Sequence, residues 1–196
     1  MHKYGNLILK DVIEMNDIEM INNLFSNPNF DFVNGLKNSL IMAIDNDNME
    51  AFNILINRPE INVNDNKGFE TALIAAIQKN NIEAFDVLLA RPEININQNS
   101  DGKTALKITV EKENIELAKI LLDQPKIDIN DNSGNETALK IAVEKENIEI
   151  IKALLYQPKI NVNDNSGNET ALKIAVEKDN IGIVKLLLAC PKIDIN

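Results

Sequence analysis

The chain has 196 residues, a net charge of −10 and a pI of about 4.7, so we expect neither a nucleic-acid backbone nor an anionic membrane surface as its partner. Its single cysteine, Cys190, excludes an internal disulfide framework and fits a reducing compartment, which predicts a cytoplasmic protein. No signal peptide is apparent after Met1, and no apolar segment is long enough to span a bilayer.

The first predicted elements are two short helices with a partly polar surface. Apolar residues recur at helical spacing in two runs, 8–13 and 18–24. Asp11 stands where later copies of the first helix carry an apolar residue, so we expect this face to meet water. Repeat proteins need such a polar terminal unit for solubility. The sequence therefore predicts an N-terminal cap over about 5–37.

The rest of the chain repeats itself every 33 residues. The triplet Thr-Ala-Leu and a proline both recur at this interval, which is the signature of a stacked-repeat protein. We expect one domain over 1–196. Its predicted repeats after the cap are 38–70, 71–103, 104–136, 137–169 and 170–196, and the triplet begins at Thr71, Thr104, Thr137 and Thr170.

Repeat five, 137–169, shows the predicted unit. Thr137 can cap a short apolar helix A, Asn147 can cap helix B, and Pro158 ends helix B because proline cannot continue it. A short extended run and a turn of Asp, Asn, Ser and Gly then lead into the next repeat. One unit of this size buries too little apolar surface to fold alone, so neighbouring units must stack.

The last repeat, 170–196, shows no polar cap. Its second helix is as apolar as the internal copies, and uncovered apolar patches tend to be interaction sites. Three hypotheses follow: a fragment of a longer array, self-association through this uncapped repeat, or a helix that tolerates exposure.

At the ends of the extended runs, recurring asparagines are expected to make structural hydrogen bonds between repeats: Asn64, Asn97, Asn130, Asn163 and Asn196.

The unit resembles the ankyrin repeat, whose helix A opens with Thr-Pro-Leu-His-x-Ala. Here the opening reads Thr-Ala-Leu-Lys-Ile-Ala at 137–142, and 148–155 is similar to the family's second helix. The resemblance implies an all-α fold, an α-solenoid of about six ankyrin-like repeats with short β-hairpin loops. Two departures stand out. Ala and Lys replace the family's Pro and His, and Glu146 stands where the family prefers glycine between the helices.

No catalytic, metal or cofactor site is predicted. His2 is the only histidine, and the chain has no Ser–His or Cys–His arrangement and no zinc-binding spacing. The Asp-Asn-Ser-Gly turns are too short for a calcium loop and have no bidentate glutamate. We therefore expect no enzyme.

The resemblance implies that hairpin tips and helix A line a concave binding surface. Four apolar residues are expected to be exposed there, unless local packing buries them: Leu36, Ile41, Phe69 and Ile74. The polar candidates for partner binding are Lys103, Lys107, Asn135, Glu136, Lys140, Asn168, Glu169 and Lys173. We expect the lysines on helix A to form a solvated ladder, with a glutamate four residues after each and, for Lys140 and Lys173, another four residues before.

The predicted function is a non-catalytic scaffold that binds a partner protein, and a basic partner suits the acidic chain. The alternative is the ankyrin-repeat segment of a larger multidomain protein whose activity lies outside this chain. Repeat architecture does not name the partner.

Overall fold

The computed structural model describes residues 4–27, 36, 38–66 and 70–195, with side chains from Leu9 onward. Within these ranges the chain forms twelve α-helices and two short 3₁₀ turns, and no β-strand is longer than one bridge residue. The predicted all-α class is confirmed. The chain divides into two compact units, 1–100 and 101–196. A single domain over 1–196 stays a prediction.

The first unit contains three helix pairs. Helix α1 packs against α2 and α3, α3 packs against α4 and α5, and α5 packs against α6. Phenylalanines at the same position of α4 and α6, Phe52 and Phe85, are fully buried and form the centre of this core. The helices are α1 (Tyr4–Glu14), α2 (Ile18–Ser26), α3 (Ser39–Asp45), α4 (Met49–Ile56), α5 (Ala72–Lys79) and α6 (Ile82–Leu89).

The second unit also contains three helix pairs. Each first helix packs against its own second helix, and α7, α9 and α11 pack against one another in sequence. Val110 and Val143 are fully buried in these contacts. The helices are α7 (Ala105–Glu111), α8 (Ile115–Leu122), α9 (Ala138–Glu144), α10 (Ile148–Tyr156), α11 (Ala171–Glu177) and α12 (Ile181–Leu188).

The predicted helix caps are confirmed. The Thr137 hydroxyl accepts a hydrogen bond from the backbone N–H of Lys140 at 3.3 Å, and the Asn147 side chain accepts one from Ile150 at 3.1 Å. Each cap satisfies a backbone donor that the first turn leaves free. The same bonds begin seven further helices, α4 to α8, α11 and α12, through Thr71, Thr104 and Thr170 and through Asn48, Asn81, Asn114 and Asn180.

The link between helix A and helix B passes through one left-handed residue in every repeat. Glu146 has a φ of 56° and Asp179 a φ of 57°, at the position where a glycine would carry no steric cost. The same conformation occurs at Asn16, Asp47, Asn80 and Glu113. The departure from the family's glycine is therefore accommodated without a change of backbone.

The recurring asparagines connect neighbouring hairpins, as the sequence predicts. Asn130 donates from its side chain to the carbonyl of Lys159 at 2.8 Å and accepts from the N–H of Asn161 at 2.7 Å. Asn64 makes the equivalent pair of bonds with Glu93 and Asn95. These amides therefore hold the extended runs of neighbouring repeats side by side. Asn196 lies outside the described residues.

The hairpin tips have two shapes, because glycine sits at different distances from the capping threonine. Ser133–Asn135 and Ser166–Asn168 are 3₁₀ turns with the glycine at a φ of 70°. At the tip before α7, Asp101 and Gly102 are both left-handed. A Cβ on Gly102 would lie 3.0 Å from the Cα of Gly134, so the two tips approach too closely for a side chain there.

The two terminal repeats differ in polarity. Asp11 is exposed on α1, as expected of a cap. In repeat six, Val176 and Ile181 are 57% and 66% exposed, whereas their internal counterparts Val143 and Ile148 are 0% and 46% exposed. The absence of a polar cap on repeat six is therefore visible in the structure as well as in the sequence.

Candidate functional site

The lysine of helix A in repeat five is buried in a socket built by the next hairpin. Lys140 is 3% exposed, and its ammonium lies 2.6 Å from Oδ1 of Asp164. It also donates to the carbonyl and the hydroxyl of Ser166, at 2.7 and 2.9 Å. The Ser166 hydroxyl donates to the same carboxylate oxygen. A buried ammonium is tolerable only with such partners.

Repeat four contains the same socket. Lys107 is 2% exposed and pairs with Asp131. Its remaining hydrogen bonds go to the Ser133 carbonyl at 2.7 Å, the Ser133 hydroxyl at 3.1 Å and the Gly102 carbonyl at 3.1 Å. We call each arrangement of helix A lysine with Asp and Ser two residues apart a lysine socket, and the acceptor segment an Asp-x-Ser turn.

The pKa values of the two socket carboxylates, Asp131 and Asp164, are lowered from those of ordinary aspartates. Burial alone would raise the pKa of Asp164, but hydrogen bonds from Lys140 and from the hydroxyl and backbone of Ser166 outweigh it and lower that pKa to about 2. The same opposition of burial against bonds from Lys107 and Ser133 lowers the pKa of Asp131. Both carboxylates are therefore ionised at neutral pH.

The prediction of a solvated lysine ladder is wrong for two of its three members, Lys107 and Lys140. The third, Lys173 in repeat six, is 51% exposed and lies 3.6 Å from both Glu169 and Glu177. These are the helical pairs that the sequence predicts. Lys140 does not take the corresponding partner, Glu136, because Asp164 and Ser166 offer it several bonds at once.

The prediction that four apolar residues are exposed is wrong for the three that the structure describes. Leu36, Ile41 and Ile74 are 7%, 8% and 2% exposed, so their side chains are part of the core. Phe69 lies outside the described residues. The alternative expectation, burial by local packing, holds for the three that are described.

The remaining polar candidates lie at the surface. Asn135, Glu136 and Asn168 are exposed at the hairpin tips, and Glu169 is half-buried. Lys103 is 52% exposed and pairs with Glu111 at 2.8 Å. Together with Lys173, these residues form the part of the predicted binding surface that a partner can reach.

An open groove of about 400 Å³ lies between α7 and α9 beside these tips. Ile141 is buried there, and Glu111 and Glu144 are held in ion pairs with Lys103 and Lys178, at 2.8 and 3.4 Å. Among the described residues, Glu136 has no ion pair. The groove is lined by Glu111, Lys112, Glu136, Ile141, Glu144 and Lys145.

Sequence reasoning named Glu136 as a binding candidate but not the other groove residues, and it missed the sockets. The socket acceptors lie 24 and 26 residues after the lysine, so helical spacing could not reveal them. One signal was available: each Asp-x-Ser turn lies near the end of a repeat that has lysine on helix A.

Two further kinds of site were looked for in the described ranges. No cluster of three or more His, Cys, Asp or Glu side chains could hold a metal ion there. None of the described helices has the length and apolar character that crossing a bilayer requires.

The family of the chain follows from comparison with known proteins. The family model of ankyrin repeats in three copies matches four overlapping stretches, 9–100, 40–133, 90–165 and 127–196. The chain belongs to the ankyrin repeat family. No curated protein sequence matches it significantly. The all-α repeat solenoid that the sequence predicts is thereby confirmed.

Two solved ankyrin repeat domains show the same fold. The domain of Bcl-3, described as a unique member of the IkappaB protein family, is 21% identical over 93% of this chain and 85% of its own, with a TM-score of 0.77. A domain from Acinetobacter baumannii AYE is 23% identical over 93% of this chain and 96% of its own, with a TM-score of 0.76.

Ankyrin repeats are generally protein–protein interaction modules, and the fold is typically a non-enzymatic scaffold. In this ankyrin repeat protein, each lysine socket joins helix A to the hairpin that follows helix B.

Proposed function

We propose that this protein is a non-catalytic scaffold that binds a basic segment of a partner protein along the helix A groove and the hairpin tips. The observation that carries the proposal is the position of Glu136. Its exposed carboxylate has no ion pair within the described residues and lies at the rim of an open groove whose floor includes Ile141.

Charge supports a basic partner. The chain carries a net charge of −10, and its long-range field would attract a cation-rich segment and repel an anionic one. Glu111 and Glu144 already have lysine partners, so a basic side chain that enters the groove meets Glu136 first. The contact would extend along neighbouring repeats through the half-buried Glu169 and the exposed residues Lys103, Asn135, Asn168 and Lys173.

Location and catalysis are part of the proposal. A single cysteine and no disulfide fit a cytoplasmic protein. The absence of a catalytic role is supported by the fold, which is typically a non-enzymatic interaction scaffold.

The test compares two charge reversals at exposed glutamates. Partners are recovered from the native cell with the full chain and identified by mass spectrometry, and their affinities are then measured for Glu136→Lys and Glu50→Lys. Glu50 is an exposed residue of α4, on helix B rather than helix A. We expect Glu136→Lys to weaken binding about tenfold, and salt to weaken it further, with Glu50→Lys near wild type.

Unchanged or tighter binding of the Glu136→Lys variant would contradict the proposal. A recovered partner that binds Glu136→Lys as tightly as the unaltered chain does not use this groove. Tighter binding of the reversed variant would show that the partner surface is acidic.

A further inference from the structure

A small cavity in repeat two lies at the position where repeats four and five hold a lysine ammonium. Its volume is about 10 Å³, which is room for one water-sized group, and it opens partly to solvent. Ile41 and Asp65 are among the residues that line it. Two repeat intervals earlier in the chain, Ile41 stands at the position of Lys107 and Asp65 at that of Asp131. Repeat two therefore has the carboxylate of a lysine socket on a helix A that carries isoleucine.

Two oxygen acceptors, from Asn38 and Asp65, border this repeat-two cavity. The Oδ1 atom of Asn38 is buried and has no hydrogen-bond partner among the described residues. Asn38 is left-handed with a φ of 63°, and its side chain does not cap α3, unlike the threonine that stands at this position in later repeats. Asp65 is half-buried, and its carboxylate has no ion pair within the part of the chain that is described. Both acceptors would gain from a donor between them.

We propose that the repeat-two cavity is a binding site for an ammonium group, supplied either by a lysine side chain of a bound polypeptide or by a free ammonium ion. The group would donate hydrogen bonds to Asn38 Oδ1 and to the Asp65 carboxylate, and its charge would neutralise that carboxylate. The inference is independent of the groove between α7 and α9.

The lysine sockets support an ammonium as the occupant. In repeat four the Lys107 ammonium pairs with Asp131, and in repeat five Lys140 pairs with Asp164 at 2.6 Å. A water molecule would donate to both acceptors of the cavity but would leave the charge of Asp65 unpaired. A calcium ion takes about six to eight oxygen ligands, and the largely apolar wall of the cavity does not supply them.

A lysine built into the cavity from within tests the acceptors without any ligand. Ile41→Lys places an ammonium beside Asp65, whereas the matched Ile74→Lys places one beside Gln98. We expect the urea midpoint of Ile41→Lys to lie at least about 1 M above that of Ile74→Lys, after correction for packing with Ile41→Met and Ile74→Met. Equal corrected midpoints would show that Asp65 does not accept an ammonium and would overturn the proposal.

Titration of the unaltered chain tests ligand binding directly. The side-chain NMR signals of Asn38 and Asp65 are followed in ammonium, methylammonium and tetramethylammonium chloride at one ionic strength. We expect saturable shifts with the first two salts and none with tetramethylammonium, which has no N–H donor. Asp65→Asn should weaken the binding at least about tenfold, because the charged acceptor is lost. Asp86→Asn, at an exposed aspartate of α6, is the matched control and should bind like the unaltered chain.

The two salts also distinguish the sources of the ammonium group. Tighter binding of methylammonium supports the proposal with a lysine side chain as the source, and tighter binding of the ammonium ion supports it with the free ion. Absence of saturable shifts, equal shifts with tetramethylammonium, or unchanged binding by Asp65→Asn would overturn the proposal.

Discussion

The two compact units carry different kinds of residue at one buried position of helix A. In the first unit, Ile41 and Ile74 occupy it and are buried among apolar neighbours. In the second unit, Lys107 and Lys140 occupy it and are just as buried, but in lysine sockets. An isoleucine is satisfied by any apolar neighbour, whereas a buried lysine needs one particular set of acceptors. The sockets therefore restrict the sequence of the hairpin that follows helix B.

In repeat three of the first unit, the serine of the socket is present but its aspartate is not. Ser100 stands at the position of Ser133, and its buried hydroxyl has no hydrogen-bond partner among the described residues. Gln98 stands at the position of Asp131 and donates instead to the carbonyl of Asn64 at 2.9 Å. With isoleucine on helix A, neither the acceptor nor the serine is needed, and the serine hydroxyl remains unsatisfied at a cost to stability.

The largest expected effect comes from forcing the second unit's residue into the first. Ile74→Lys places an ammonium at a 2% exposed position that has no Asp-x-Ser turn. We expect the free energy of unfolding to fall by about 3–5 kcal/mol, because the charge is buried without a partner. Urea denaturation measures the loss, and hydrogen exchange in α5 assigns it to the first unit.

Adding Gln98→Asp to this variant should restore much of the loss, since it creates an Asp-Asn-Ser sequence with Ser100. Gln98→Asp alone, which lacks the lysine, is the control and should itself be destabilising. Absence of any recovery in the double variant would show that the two units differ in more than these side chains.

The second-largest expected effect comes from removing a socket acceptor in the second unit. Asp164→Ala leaves Lys140 with only the neutral groups of Ser166, so we expect a loss of about 2–3 kcal/mol in unfolding free energy. Glu177→Ala removes an exposed partner of Lys173 and should cost less than about 0.5 kcal/mol. Equal losses in the two variants would contradict the distinction between buried and exposed pairs.

The caps and the period were predictable because they depend on residues close in sequence. Thr137 and Asn147 each bind a backbone N–H three residues on, and the 33-residue interval is written in the chain itself. The sockets were not predictable from helical spacing, since their acceptors lie 24 and 26 residues after the lysine, in the hairpin that follows helix B. Burial of Ile41 and Ile74 stayed open as an alternative at the level of the sequence, because packing between helices of different repeats decides it.

As the pH is lowered, the socket of Lys140 and Asp164 should lose its contribution to stability before the rest of the second unit unfolds. Asp164 has a pKa of about 2 in the folded chain, below the value of about 4 of a free aspartate. A lowered pKa contributes stability above about pH 4, and this contribution is lost as the pH falls toward 2. The stability difference between the unaltered chain and Asp164→Asn should therefore shrink across that window in urea titrations. A constant difference would contradict the assignment.

The smallest expected effect concerns the left-handed link of repeat six. Asp179 has a φ of 57° and an exposed side chain, so Asp179→Gly should stabilise the chain by about 0.5–1 kcal/mol through relief of backbone strain. Asp179→Asn, which tolerates this conformation, is the matched control and should change thermal stability little. A loss of stability with glycine would mean that its entropy in the unfolded chain outweighs the strain.

The most direct test of the lysine sockets observes the ammonium groups themselves. In ¹⁵N-detected spectra near neutral pH, the Nζ protons of Lys107 and Lys140 should exchange slowly with water, because three or more bonds hold each group in a buried site. The Nζ protons of Lys173 should exchange too fast to give a signal. Equal exchange at all three lysines would contradict the account.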